Sequence, residues 1–181
     1  MNGTSVVFAG AGMVTLASSG GTWKDVTRTG TAAKTDGLIV AGTFTATGTF
    51  TATGNSLANR LLVVSNSIGT QRGIIAASVS LDNVDFKDIN GAGAASWTGT
   101  SIGNSLGNSG ITYTVNSGTS NGAGGVNRYW VGGTGSWSNT ANWSTTSGGS
   151  SGATIPLPQD DVYFDSSSMG GNSKTVTIDM S

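Results

Sequence analysis

Residues 42–53 read GTFTAT twice in succession without a mismatch. The repeat length is even, so a strand keeps its side-chain phase across it. Phe44, Ala46, Gly48, Phe50, Ala52 and Gly54 then share one face. Thr43, Thr45, Thr47, Thr49, Thr51 and Thr53 share the other. No helix separates these two sets, and Thr and Phe favour strands. The segment is one long strand, or two strands bent at Gly48. No other segment repeats this spelling. The Thr face is therefore expected to belong to one strand, too little for an ice-binding array and enough for a water-facing or hydrogen-bonded surface.

The flanking sequence has the same grain. Val6-Val7-Phe8 and Met13-Val14-Thr15-Leu16 are split by Gly10-Ala11-Gly12, which reads as strand, turn, strand. Further strands are expected near 23–29, 60–64, 73–76 and 111–115. In Ser78–Ile89 the apolar phase slips, because Leu81 and Val84 are separated by an odd step. A corner at Asp82-Asn83 accounts for it. Short strands about ten residues apart, with varied turns, suit stacked coils, since a single coil cannot bury its inner face alone. The fold class expected is all-β, as β-solenoid-like or β-sandwich modules with very little helix. Residues 1–115 form a β-rich, solenoid-like module and 116–127 (NSGTSNGAGGVN) a linker. Residues 128–181 form a Trp/Gly-rich β module whose last strand ends with an edge still to be covered.

What is missing narrows the chemistry. The chain has no Glu, His or Cys, and only 9% of its residues are charged. There is no imidazole base or thiol nucleophile, and no His/Cys metal site. A net charge of −1 with scattered cations gives no attraction to nucleic acid. No apolar run approaches the roughly 18 residues of a membrane helix. The first lysine is Lys24, so the N-terminal segment reads as strands and not as a signal peptide. Disorder is a poor alternative, because 36% of the residues are hydrophobic and they alternate cleanly.

The densest stretch runs from Arg128 to Asp165 and carries three of the five tryptophans. It spells Trp130-x-Gly132-Gly133-x-Gly135-x-Trp137, then Asn142-Trp143, then Pro158, then Asp160-Asp161-Val162-x-Phe164. A Val176-x-Ile178 strand follows. This pattern resembles a recurring module of repetitive β-rich phage virion proteins, tail or fibre-like, and of bacterial surface proteins. Residues 59–89 resemble the coils that precede such a module. The resemblance implies a virion or cell-surface location, a structural role without enzymatic activity, and partners that are copies of itself or other virion proteins.

Three side-chain sets deserve weighing. Trp137 and Trp143 offer stacking surfaces for a host glycan, although spacings of this kind, with glycines between, also suit a packed core. Asp160, Asp161 and Asp165 offer carboxylates for Ca²⁺, but without EF-hand spacing, and Asp equally caps turns. Asp82, Asp85 and Asp88 offer carboxylates for a polysaccharide depolymerase, which needs a facing pair. The expectation is a homo-oligomeric phage virion protein of tail, fibre or capsid-decorating kind. The alternative is an adhesin binding glycan through aromatics, and depolymerase activity ranks last.

Overall fold

The computed structural model describes residues 3–17, 20–93, 96–116, 118–121 and 124–180. Ser117, Gly122 and Ala123 of the expected linker, and Ser181, lie outside the described residues. Among the described residues there is no α-helix, only a 3-10 turn at Thr140–Asn142. The chain divides into two compact units, Met1–Thr114 and Val115–Met180.

The first unit holds β1 (Val6–Phe8), β2 (Met13–Leu16), β3 (Gly21–Trp23), β4 (Val26–Thr29), β5 (Gly37–Val40), β6 (Phe44–Thr53), β7 (Leu61–Ser65), β8 (Arg72–Lys87), β9 (Ile89–Ala92) and β10 (Thr100–Asn104). They form one ten-stranded, nearly closed sheet in which every pairing is parallel. The registers fall into three columns. β3, the first part of β6, the first part of β8 and β9 make one. β1, β4, the end of β6 and the middle of β8 make the second. β2, β5, β7, the end of β8 and β10 make the third.

The inward face of the duplicated segment is as the alternation requires. Phe44, Ala46, Phe50 and Ala52 are buried, and the threonines between them are more exposed. β6 continues through Gly48, where its register against β8 shifts. Asp25 fills that bend: its carboxylate accepts from the Thr49 amide at 2.9 Å. A Cβ on residue 48 would sit 2.3 Å from that carboxylate, so only glycine fits. The corner expected at Asp82-Asn83 is present too, with Asn83 at φ 49° and both Leu81 and Val84 buried.

An aromatic chain runs through the core. Trp23 meets Phe44 at 5.9 Å, Phe44 meets Phe50 at 5.9 Å, and Trp97 meets Phe50 at 5.8 Å and Phe86 at 6.4 Å. Such rings contribute large buried area plus edge-to-face attraction.

Two expectations are corrected. The hydroxyl face is not confined to one strand. Thr27, Thr51 and Ser80 are successive Cα partners, as are Thr29 and Thr53, and the hydroxyls of Thr49 and Ser78 lie 2.8 Å apart. VTRT and SVS keep the outward hydroxyl positions without repeating the spelling. Ile111–Val115 is not a ladder strand. Its amides reach Trp97 and Ile102 carbonyls at Thr112 and Thr114 as isolated bonds.

The buried polar groups of this unit are tied in. Arg28 is fully buried, and its guanidinium donates to the carbonyls of Phe8, Gly10, Gly12, Thr29 and Gly37. Asp36 lies 3.8 Å from it and accepts from Gly12 and from the amide and hydroxyl of Thr31. Burial alone would raise the Asp36 pKa. The Thr31 and Gly12 donors and the Arg28 charge outweigh it and hold the group below its ordinary 3.8. Asp25 is held low by the Thr49 amide and then the Ser5 hydroxyl.

Folded-state values below the unfolded ones mean that this stabilisation is complete above the unfolded value of about 3.8 and is lost as pH falls through the folded values. The urea midpoint of the first unit is expected to drop between pH 7 and pH 3, and to drop less in Asp36→Asn. Equal pH dependence in the two proteins would remove Asp36 from the account.

Candidate functional site

The second unit is built on β11 (Asn127–Trp130), which pairs antiparallel with β13 (Trp143–Ser144) and parallel with β14 (Asp161–Tyr163). β12 (Gly135–Ser136) pairs in parallel with β15 (Val176–Thr177). The described residues of the expected linker are bound into this unit. Ser120 bridges Val126, Asn127 donates to Thr119, and Asn121 donates to Gln159.

Alternation on β11 sends Arg128 and Trp130 inward and Asn127 and Tyr129 outward. Trp130 and Trp143 are Cα partners and meet edge to face at 5.0 Å. Trp137 meets Trp143 at 4.7 Å, and Phe164 lies against all three indoles at 5.9–6.5 Å. The indole N–H groups are satisfied locally, Trp130 by the Gly133 carbonyl and Trp143 by the Trp137 carbonyl. The glycines of the motif have a physical cause. A Cβ at Gly132 or Gly135 would fall 2.1 or 2.4 Å from the side-chain amide of Asn142, which occupies that space and donates to Ser136.

Of the glycan surface expected at Trp137 and Trp143, the Trp143 part is therefore lost to the core. Trp143 is fully buried and has no free ring face, and Trp137 is half-buried with its ring against Trp143. The spacing builds a core.

The aspartates expected to hold a metal do not converge. Among the described residues, no three metal-ligating side chains form a group. Asp160 accepts from the amides of Val126 and Leu157, both at 2.9 Å, and so pins the turn before β14. Asp165 has its pKa lowered by the Ser147 hydroxyl first and the Ser167 amide next, and it also accepts from Ser168. Asp161 is exposed.

The carboxylates weighed for hydrolysis are likewise engaged. Asp85 takes Arg60 in a bidentate pair, with contacts of 2.7–3.0 Å. Asp88 is 3% exposed and accepts from the Gly69 amide. Asp82 stands at the corner beside Asn83.

A hollow of about 330 Å³ lies between Arg128, Thr145, Ser150, Gly152, Ala153 and Thr154. Arg128 is 1% exposed and donates to the carbonyl and hydroxyl of Thr154 and to the Asn127 carbonyl. Burial lowers its pKa and the charge of Asp160 opposes that shift. The guanidinium fastens the wall of the hollow and offers it little surface.

The outward face of the same sheet carries what sequence reasoning passed over. Tyr129 and Tyr163 are register partners, with parallel rings 4.9 Å apart. One row away, Asn127 is the partner of Asp161. The signal was available in RYWV and DVYF: in each, neighbouring aromatics or an aromatic and a valine must point to opposite faces. No family model, curated protein or solved structure matches this chain.

Proposed function

We propose that this chain is a non-enzymatic structural protein of a phage virion, of tail, fibre or capsid-decorating kind, that assembles through its β-rich surfaces. With it we propose that the first unit is a short three-faced β-solenoid. All-parallel pairing supports that reading over a sandwich, whose sheets are antiparallel. The observation that carries the assembly reading is the open edge of the sheet. Among the described residues β1 and β2 each pair on one side only, and on them Val7 is 68% exposed and Met13 42%. An unpaired strand row is a template for another chain, and the inner faces of stacked coils are buried only by their neighbours. The Trp/Gly module and the preceding coils resemble those of virion proteins, and carboxylates bound up in turns and ion pairs suit a scaffold.

Light scattering over a range of concentrations tests this. The expected result is a mass well above 18.0 kDa that falls on dilution or on Val7→Lys, which places a charge on the edge. A monomer at every concentration would refute self-assembly.

A further inference from the structure

The two ends of the ten-stranded sheet are finished differently. Beyond β9 and β10 the chain lays a polar segment, residues 105–115, over the outermost strands. The carbonyls of Leu106 and Ser109 accept from the amides of Asp88 and Gly91. The Asn108 side chain accepts from the Ile89 amide at 2.8 Å and donates to the Phe86 carbonyl at 2.7 Å. The Thr114 hydroxyl accepts from the Ile102 amide at 2.8 Å. These are turn and side-chain bonds and not a ladder, and Leu106, Gly107 and Gly110 hold positive φ. That end uses up its edge groups and presents no strand for another chain to extend. Stacked repeats need such a polar cap at both ends. At the β1–β2 end, none is present among the described residues. Val6, Phe8 and Val14 stand in register with the buried Val26, Arg28 and Leu38, so they point inward, yet they are only half-buried. Residues 1–23 also contain no charged residue and no proline, the usual devices that keep an edge from pairing.

Resting on the assembly reading, whose partner and symmetry it names, we infer that the β1–β2 end is covered by the same end of a second copy, the two meeting head to head across a two-fold axis. An unpaired row of N–H and C=O groups is complementary to another such row, so the occupant is an extended strand. Head-to-tail stacking has to extend the 105–115 segment, which offers no ladder. A two-fold arrangement needs only the one patch, used by both copies, and stops at two. Rotation about an axis beside the Gly10–Gly12 turn reverses strand direction. It sets β1 of each copy antiparallel to β2 of the other. Alternation then places Val6 and Phe8 against Leu16 and Val14 of the second copy on the inner side, and Val7 beside Thr15 on the outer side. Across a two-fold axis a charged edge meets its own sign, and this edge carries no charge to repel its copy. The strands are three and four residues long, so the dimer is a reversible one.

The chain has no cysteine, so single introduced thiols report the contact. Full-length Val7→Cys and Thr15→Cys chains, both substituted at exposed positions, are mixed with one of them isotope-labelled and then oxidised. Thr112→Cys, exposed at the capped end, is the control partner for Val7→Cys. The mixed disulfide of Val7→Cys with Thr15→Cys is expected in several-fold higher yield than that with Thr112→Cys. In light scattering the unsubstituted chain is expected to level off at twice 18.0 kDa. Amide exchange in β5 and β7 reports that each variant is folded. A mass that keeps rising past two copies overturns the head-to-head arrangement and leaves self-assembly standing. So does a dimer in which Val7→Cys links to Thr15→Cys no better than to Thr112→Cys, which would assign the contact to another surface. A monomer at every concentration removes the inference and the assembly reading together.

Discussion

Arg28→Ala is expected to destabilise the first unit by about 3–5 kcal/mol, as removal of one partner from a buried ion pair does. The alternation that buries Val26 also turns Arg28 inward, while Thr27 and Thr29 face out. Its guanidinium joins three carbonyls of the 8–12 loop to those of Thr29 and Gly37. Truncation leaves those carbonyls without their charged donor and leaves Asp36, 1% exposed at its side chain, without its cation. Arg28→Lys is expected to recover less than half of the loss, because an ammonium has three donors at one point where the guanidinium fork spans several directions. Urea unfolding, followed by amide exchange in the paired strands β5 and β7, measures both. A loss below about 1 kcal/mol for Arg28→Ala would mean that water replaces the guanidinium, and the clamp would not be structural.

Arg28 also marks where sequence reading stops. Alternation within a segment is local, so GTFTAT announced its buried Phe and Ala, and the slip between Leu81 and Val84 announced the corner at Asn83. Which strands pair is not local. Phe44 meets Ile74, and Val14 meets Leu38, through turns of different length that carry no common spelling. The carbonyls that make an inward arginine tolerable are gathered by a loop with Gly10 at φ 90° and Gly12 at φ 94°, and glycine alone does not announce which conformation it takes.

At the candidate site the same limit acted differently. The tryptophans were visible as large side chains, but only the pairing of β11 with β13 shows that Trp130 and Trp143 face each other inside. Tyr129 and Tyr163 look less prominent in the sequence. They are the aromatics left outside because their neighbours Trp130 and Val162 turn inward.

Trp143→Ala is expected to cost the second unit about 3–5 kcal/mol, the usual range for removing a buried aromatic. The unit is small and its cluster rests on Trp130, Trp143 and Ile155. Removing the Trp143 indole takes away ring contacts to Trp130, Trp137 and Phe164 together, and it strips the Trp137 carbonyl of its donor. The space cannot close easily, because Trp143 stands on a strand held by β11. Trp137→Ala should cost less, since that ring is only half-buried. Tyr163→Ala should cost less still, about 1 kcal/mol or below, since it forfeits one stacked pair at the surface. Near-ultraviolet circular dichroism and amide exchange at Tyr129 and Ser144 rank the three. This order separates the structural aromatics from the surface one. If Tyr163→Ala unfolded the unit while Trp143→Ala left it intact, the assignment of core and outer face would be reversed.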